Sequence, residues 1–194
     1  MPRTTGTERL EARRARLERH AAETDQAVVL NAAARFLELR SRSVDEVRRH
    51  LAAARFPEPL VEGAVARLSE LGMLDDRAFA QAWVESRDRA RPRGETALRR
   101  ELTLKGIDRE TVASVLAERS EAALGDGPSS GTLGADQLAA ERLLARNRAA
   151  LQRVADSRAR RQRAYALLAR NGFDPEVCRD VSGRVDGIQD DLDD

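Results

Sequence analysis

The sequence is short of the residues that build sheets, disulfides and membrane spans. Only 3% of its 194 residues are aromatic, one residue is cysteine, and no apolar run approaches the length of about 18 residues that a membrane span requires. No signal-type segment follows Met1, since residues 8–19 are dense in arginine and glutamate. The single cysteine, Cys178, is predicted to be a small core residue. We therefore expect an all-α, cytoplasmic protein with no membrane partner.

The sequence also lacks the usual signatures of metal sites and enzymes. His20 and His50 are the only histidines, and neither stands at zinc-ligand spacing from Cys178. The glycines of residues 125–134 lack the Lys-Ser/Thr ending of a phosphate-binding loop, and no serine-nucleophile motif occurs. We therefore expect no enzymatic activity and no cofactor.

The overall charge does not indicate a nucleic-acid partner, because 34 Lys and Arg nearly cancel 33 Asp and Glu. The basic charge is nevertheless concentrated: six arginines lie between Arg87 and Arg100, and six more between Arg153 and Arg170. Such arginines are either a solvated helix face, a phosphate-binding surface or a surface for an acidic protein. The candidate binding residues are Arg87, Arg89, Arg91, Arg93, Arg99, Arg100, Lys105, Arg158, Arg160, Arg161 and Arg163.

One short pattern occurs three times along the chain. An apolar, helix-type stretch ends in Phe or Ile immediately before a new helix start. These stretches run from Leu51 to Phe56, from Leu102 to Ile107 and from Leu168 to Phe173, and five residues further on stand Val61, Val112 and Cys178. Apolar residues at spacings of three and four predict amphipathic helices, and the repetition predicts a helical repeat protein. The predicted fold is all-α, with three tandem three-helix units in an elongated, curved arrangement.

Helix start and stop signals set the predicted boundaries. Ser43 and Glu46 form a capping box that starts one helix, and Pro57 ends it. The predicted segments are an arginine-rich extension at 1–24 that is a frayed helix or a tail, three-helix units at 25–74, 75–124 and 136–185, a flexible linker at 125–135, and an acidic disordered tail at 186–194.

Individual residues in these units have predicted structural roles. Asp75 is expected to cap a helix on which Phe79 and Trp83 form an i, i+4 core pair. Gly106 is expected to end the next helix with a positive φ. The third unit is predicted to begin with one long, weakly apolar helix that spans Leu138 to Leu151.

Two stretches resemble the RecX family, bacterial regulators of the RecA recombinase. They are LGMLDDRAFAQAWVESR at residues 71–87 and GETALRRELTLKGID at residues 94–108. The flanking units match more loosely, and Arg93 stands where an aromatic residue is common in the family. The resemblance implies a monomeric regulator that binds RecA and its single-stranded DNA filament. It also implies inhibition of RecA strand exchange, ATPase and coprotease activities, in control of recombination, repair and the SOS response.

Two other classes of function are compatible with the same helices. A helix-turn-helix regulator would use one short helix to read DNA bases, but the Asn and Gln residues for adenine contacts are scarce in these helices. A purely structural helical scaffold would have no DNA affinity. The sequence also leaves open which face contacts RecA and which contacts DNA, and whether the chain occupies the filament groove or caps the growing end.

Overall fold

The computed structural model describes residues 6–124 and 134–185, which form helices and turns with no β-strand among them. The all-α prediction is thereby confirmed. The helices are α1 (Gly6–Ala21), α2 (Gln26–Leu37), α3 (Val44–Ala53), α4 (Glu58–Glu70), α5 (Asp76–Ala90), α6 (Glu95–Leu104), α7 (Arg109–Leu124), α8 (Ala135–Arg146), α9 (Arg148–Gln152), α10 (Ser157–Arg170) and α11 (Pro175–Gly183). None of these described helices is long and apolar enough to cross a membrane.

The described residues form two compact units. The first contains residues 6–79 and 105–107, and the second contains residues 80–104, 108–124 and 134–185. The count of three repeats, their boundaries and the elongated arrangement remain predictions. The acidic tail and most of the predicted linker lie outside the described residues.

In the first unit, α2, α3 and α4 pack on one another around a shared apolar core. Val29, Val47 and Leu51 are fully buried, because the apolar residues of each helix recur at the spacing that places them on one face. The Asp25 carboxylate caps α2 by accepting from the Ala27 N–H, and the Ser43 hydroxyl caps α3 by accepting from the Glu46 N–H. The predicted start of α3 at Ser43 is confirmed.

In the second unit, α8, α10 and α11 enclose a second core, and α7 packs against both α6 and α8. Leu168 and Cys178 are fully buried, so the prediction that Cys178 is a core residue is confirmed. The prediction of one long helix from Leu138 to Leu151 was wrong, since α8 ends at Arg146 and a short α9 follows. The Asn147 side-chain amide donates to the Leu143 carbonyl at 2.8 Å, and this contact accompanies the break.

Helices α3, α6 and α10 share one buried register. In each, two buried residues four positions apart are followed five positions later by a buried Phe or Ile in the turn. The three sets are Val47, Leu51 and Phe56; Leu98, Leu102 and Ile107; and Ala164, Leu168 and Phe173. The repeated pattern in the sequence therefore corresponds to equivalent packing positions on three helices.

Each of these helices ends in a left-handed turn. The residues with positive φ are Arg55 (66°), Gly106 (82°) and Gly172 (81°), each directly before the buried Phe or Ile. The prediction for Gly106 is confirmed. Arg55 is the non-glycine residue at the equivalent position, where a side chain makes the left-handed conformation costly.

Two of these turns contact the start of an equivalent helix. The Ser43 hydroxyl donates to the Lys105 carbonyl at 2.6 Å, and the Gly94 N–H donates to the Asn171 carbonyl at 3.1 Å. The packing is close, because a Cβ on Gly106 would lie 2.2 Å from the Asp45 Cβ. Glycine is therefore required in this turn both by its φ and by its neighbour.

We predict that Gly106→Ala lowers the free energy of unfolding by about 2 to 5 kcal/mol. The left-handed conformation costs an alanine about 1 to 2 kcal/mol, and the clash with Asp45 adds about 1 to 3 kcal/mol of overpacking. The matched variant Arg55→Gly should be neutral or stabilising by up to about 1 kcal/mol, because it relieves the strain of a side chain at positive φ. Urea unfolding monitored by circular dichroism measures both. A Gly106→Ala variant as stable as the wild type would contradict the constraint.

Candidate arginine-rich interface

Arg87, in the last turn of α5, is held by contacts with Glu101 and Trp83. The Arg87 Nε donates to the Glu101 carboxylate at 2.6 Å, and the Trp83 indole N–H donates to the same oxygen at 2.8 Å. The Arg87 guanidinium carbon lies 4.4 Å from the centroid of the Trp83 ring, within cation–π range. Phe79 is buried and Trp83 is half-buried, so the predicted core position is confirmed for Phe79, and the pairing with Trp83 stays a prediction.

Arg93 connects the α5–α6 turn to the turn after α10 inside the second unit. Its Nη1 donates to the Asn171 side-chain oxygen at 2.5 Å, and its Nε lies 3.6 Å from the Glu101 carboxylate. The neighbouring Gly94 allows this approach, because a Cβ there would lie 2.2 Å from the Gly172 carbonyl oxygen. These contacts place the Arg93 guanidinium between protein groups, with about one third of the side chain exposed.

Lys105 is also engaged within the protein. Its ammonium lies 2.6 Å from the Glu46 carboxylate, and Arg40 makes a second ion pair with Glu46 at 3.1 Å. Burial alone raises the pKa of Glu46, but the hydrogen bonds and charges of Arg40 and Lys105 outweigh it and lower the pKa to about 2. Glu46 thus uses its carboxylate to hold the Lys105 turn.

The other arginines of α5, α6 and the turn between them face solvent. Arg89, Arg91 and Arg100 are exposed, and within the described residues none of the three side chains has an ion pair. Arg99 is exposed too, and it forms an i, i−4 pair with Glu95 at 2.6 Å. An exposed pair of this kind contributes only about 0.3 to 0.5 kcal/mol, so it leaves Arg99 available to a stronger partner.

Helix α10 carries the second arginine group and contains no acidic residue. Arg158, Arg161 and Arg163 are exposed, whereas Arg160 is half-buried. Asp156, the one acid nearby in sequence, caps the helix by accepting from the Ala159 N–H at 2.6 Å. In the part of the chain that the structure describes, neither Arg158 nor Arg163 has an acidic partner.

One arginine that the sequence analysis did not single out organises the second unit. Arg119 on α7 is 8% exposed and forms ion pairs with Asp88 at 2.8 Å and Asp136 at 2.6 Å. Burial alone lowers the pKa of Arg119, but the hydrogen bonds to the two carboxylates outweigh it and raise the pKa. Asp136 also accepts from the Glu95 N–H at 2.9 Å, so one carboxylate joins α6, α7 and α8. The sequence signal that could have identified Arg119 is its position on α7, in line with the apolar stripe of Val112 and Val115.

A second such residue is Arg146 at the end of α8. Its two terminal nitrogens donate to the backbone carbonyls of Arg89 and Ala90, at the end of α5. Unpaired carbonyls at a helix C-terminus attract a cation, so Arg146 caps α5 from another helix. This contact fixes the backbone of Arg89 and leaves its side chain facing outward.

The second unit has an open cavity of about 590 Å³ between α5, α7 and α8. Val84, Val115 and Leu138 line it together with Glu85 and Glu118. The cavity holds neither a histidine nor a cysteine, and no group of three metal-binding side chains occurs among the described residues.

Comparison with known proteins shows where this arrangement recurs. The model for the first three-helix domain of RecX matches residues 30–68, and that for the second three-helix domain matches residues 75–116. Regulatory protein RecX of Mycobacterium sp. (strain JLS) is 33% identical over 151 residues, which cover 76% of this chain and 75% of that protein. Regulatory protein RecX of Chlorobium phaeobacteroides (strain BS1) is 30% identical over 164 residues, covering 84% and 97%.

The fold recurs in solved structures. The crystal structure of RecX from Lactobacillus salivarius matches with a TM-score of 0.67 at 18% identity, covering 83% of this chain and 96% of that chain. A second crystal structure, of regulatory protein RecX, matches with a TM-score of 0.63 at 18% identity, covering 94% and 79%. Ser43 lies within the range matched by the first-domain model, and Lys105, whose carbonyl it contacts, lies within the range matched by the second-domain model.

We predict that the Glu46 contacts make stability depend on acid pH. The pKa of Glu46 is 4.5 when unperturbed and about 2 in the folded chain, so its contribution is complete above pH 4.5 and is lost as pH falls towards 2. We expect a loss of about 2 to 3 kcal/mol over this range, since one pKa unit corresponds to about 1.4 kcal/mol. Urea unfolding at successive pH values measures it. Glu46→Gln should remove this component and Glu62→Gln should retain it; identical pH profiles for wild type and Glu46→Gln would refute the role.

Proposed function

This chain belongs to the RecX family of regulatory proteins, and we propose that it binds the RecA recombinase on single-stranded DNA and inhibits RecA activities. The inhibited activities are strand exchange, ATP hydrolysis and coprotease activity, so that the chain restrains recombination and repair. We propose that it acts as a cytoplasmic monomer, without a cofactor and without catalysis of its own.

The observation that supports this proposal is the group of exposed arginines that folding leaves unused. Arg89, Arg91 and Arg100 in the middle of the chain, and Arg158 and Arg163 on α10, have no ion pair within the described residues. Arginine presents five N–H donors in a planar fork that suits phosphate and carboxylate groups. A filament of DNA and protein offers both kinds of group along its length.

The proposed mechanism is occupation rather than chemistry. Several arginine contacts spread over two helical regions can hold a protein on an extended surface, although each contact alone is weak. A chain held in this way obstructs the changes in the RecA filament that accompany ATP turnover and strand exchange. Arg87, Arg93 and Lys105 then act indirectly, because their contacts with Glu101, Asn171 and Glu46 fix the helices that carry the exposed arginines.

The direct test is RecA ATP hydrolysis on single-stranded DNA with this chain titrated in. We expect inhibition at amounts below one chain per RecA, since each bound chain obstructs several filament subunits. A second titration with excess single-stranded DNA separates filament binding from simple capture of free DNA, because capture would be relieved by the excess. Unchanged ATP hydrolysis at equimolar amounts would overturn the proposed function.

A variant pair sharpens this test. A triple variant combines Arg89→Gln, Arg91→Gln and Arg100→Gln. It should weaken inhibition and leave the helical content and the unfolding midpoint unchanged, because these side chains have no ion pair within the described residues. Arg93→Gln should instead lower stability, since it removes the donor to Asn171. Equal inhibition by the triple variant and the wild type would assign these three arginines to a solvated surface.

A further inference from the structure

Helix α10, which carries the second arginine group, begins earlier relative to its buried residues than the equivalent helices α3 and α6. Helix α3 begins three residues before its first buried register position, Val47, and α6 begins three residues before Leu98. Helix α10 begins seven residues before its equivalent, Ala164. The additional four residues are about one helical turn, and this turn carries Arg158 and Arg160.

The additional turn occupies a position that the other two helices use for packing. Ser43 and Gly94, just before α3 and α6, donate to the carbonyls of Lys105 and Asn171. Arg160 is the residue at the same register position in α10. Ser43 contacts the turn after α6 and Gly94 contacts the turn after α10, whereas Arg160 is a larger, half-buried residue.

The arginines of α10 are not explained by helix stability. A cation in the first turn of a helix is disfavoured by the helix dipole by about 0.3 to 1 kcal/mol, and the only acid at this helix start, the N-cap Asp156, accepts from the Ala159 N–H rather than pairing with Arg158. Arg163 and Arg170 are also exposed and stand seven residues apart, which places them on one side of the helix about 10 Å from each other. Arg158 stands about 140° around the helix axis from Arg163, so exposed arginines are distributed over the solvent side of the whole helix.

This face has the composition of a surface for a polyanion. No large apolar side chain of α10 is exposed, because Leu168 is buried and Tyr165 and Leu167 are half-buried. A protein partner normally needs apolar or aromatic anchors at the centre of its interface, whereas phosphates need only spaced cations. Resting on the proposed function, we propose that the outer face of α10 binds the phosphates of single-stranded DNA through Arg158, Arg163 and Arg170.

The test uses a double variant that combines Arg158→Gln and Arg163→Gln. Its matched control is a double variant that combines Arg35→Gln and Arg67→Gln and removes the same charge from α2 and α4. Binding to labelled oligothymidylate, bare and RecA-coated, is measured by fluorescence anisotropy at several salt concentrations. We expect the α10 variant to bind both DNA forms about tenfold more weakly than the control. The slope of log affinity against log salt should fall by about 0.7 for each phosphate that the variant no longer neutralises.

The two substrates separate the possible failures. Weaker binding to the RecA-coated DNA with unchanged binding to bare DNA would overturn the phosphate assignment and point to an acidic protein surface. Unchanged binding to both would return the α10 arginines to a solvated face. A wild-type chain that binds bare DNA with the expected salt slope but leaves RecA ATP hydrolysis unchanged would overturn the proposed function and retain the α10 surface.

A second inference concerns α1, and it rests on a different contact. The three left-handed turns place equivalent carbonyls at Ala54, Lys105 and Asn171, each directly before the residue with positive φ. Ser43 and Gly94 donate to the second and third carbonyls. The first carbonyl has a partner as well: His20, in the last turn of α1, lies with its Nδ1 3.0 Å from the Ala54 oxygen.

His20 also covers the apolar side of this turn. Its ring stacks on Phe56 with the centroids 4.1 Å apart and the planes inclined by 15°. Because a carbonyl oxygen can only accept, Nδ1 carries the hydrogen in this contact. No residue of α1 is buried, so its attachment to the first unit depends on few contacts, of which that of His20 is the best defined.

We infer that α1 is a cap on the first left-handed turn, which His20 attaches at the position that Ser43 and Gly94 occupy at the other two turns. The arginine content of α1 is then that of an exposed outer face. This interpretation concerns α1, at Gly6–Ala21, and residues 1–5 of the predicted extension at 1–24 lie outside the described residues.

Brief trypsin digestion of the full chain tests the cap, since α1 contains Arg9, Arg13, Arg14, Arg16 and Arg19 as cleavage sites. We expect His20→Ala to raise the rate of cleavage within α1 about tenfold, with cleavage in α6 and α10 unchanged. The control His50→Ala removes the other histidine, which stacks on Phe36, and should leave α1 cleavage at the wild-type rate.

Two conservative variants separate the parts of the contact. His20→Asn can keep the donor and loses the ring stack, whereas His20→Phe keeps the stack and loses the donor, so both should be cleaved at rates between those of wild type and His20→Ala. Equal cleavage of α1 in wild type and His20→Ala would overturn the cap. A rise that extends to α6 and α10 would also overturn it, because it would report general unfolding.

Discussion

The left-handed turn at the end of α3, α6 and α10 is the constraint on which the rest of this structure depends. It reverses the chain within a few residues, buries Phe56, Ile107 or Phe173, and presents one backbone carbonyl to a neighbouring segment. Two of the three turns use glycine, since Gly106 and Gly172 combine positive φ with contacts that leave no room for a Cβ. The turn at Arg55 keeps the same geometry at a conformational cost.

The arginines form two groups, which differ in burial and in ion pairing. Arg119, with 8% of its side chain exposed, joins two carboxylates and holds three helices together, whereas Arg158 and Arg163 face solvent without an acidic partner in the described chain. Removing a carboxylate partner from a buried arginine would lower the free energy of unfolding, because it would leave a buried charge without compensation. Arg119 therefore requires both Asp88 and Asp136. An exposed arginine is solvated by water and needs no carboxylate partner within the protein, so it remains available to an anionic partner.

The sequence predicted the local features well and the long-range contacts poorly. Helix positions, the cap at Ser43, the buried Cys178 and the left-handed Gly106 all follow from spacing and residue type, which act over a few residues. The partners of Arg93 and Lys105 stand far away in the chain, at Asn171 and Glu46, and no local pattern points to them. For that reason the candidate residues include both arginines that the fold engages and arginines that it leaves exposed.

The contacts at helix starts and turns differ between the three equivalent helices, and a chain with near-zero net charge can therefore still carry concentrated exposed arginines. Inside a repeat, each helix start faces a turn, and Ser43 and Gly94 are small enough to approach its carbonyl. At the equivalent position of α10 stands Arg160, a larger and half-buried residue. At the first turn the opposite requirement holds, because an exposed carbonyl and the Phe56 ring need a cover, which His20 supplies. The same register position thus holds a small residue before two helices and an arginine in the third, so one helical pattern accommodates both close packing and arginine.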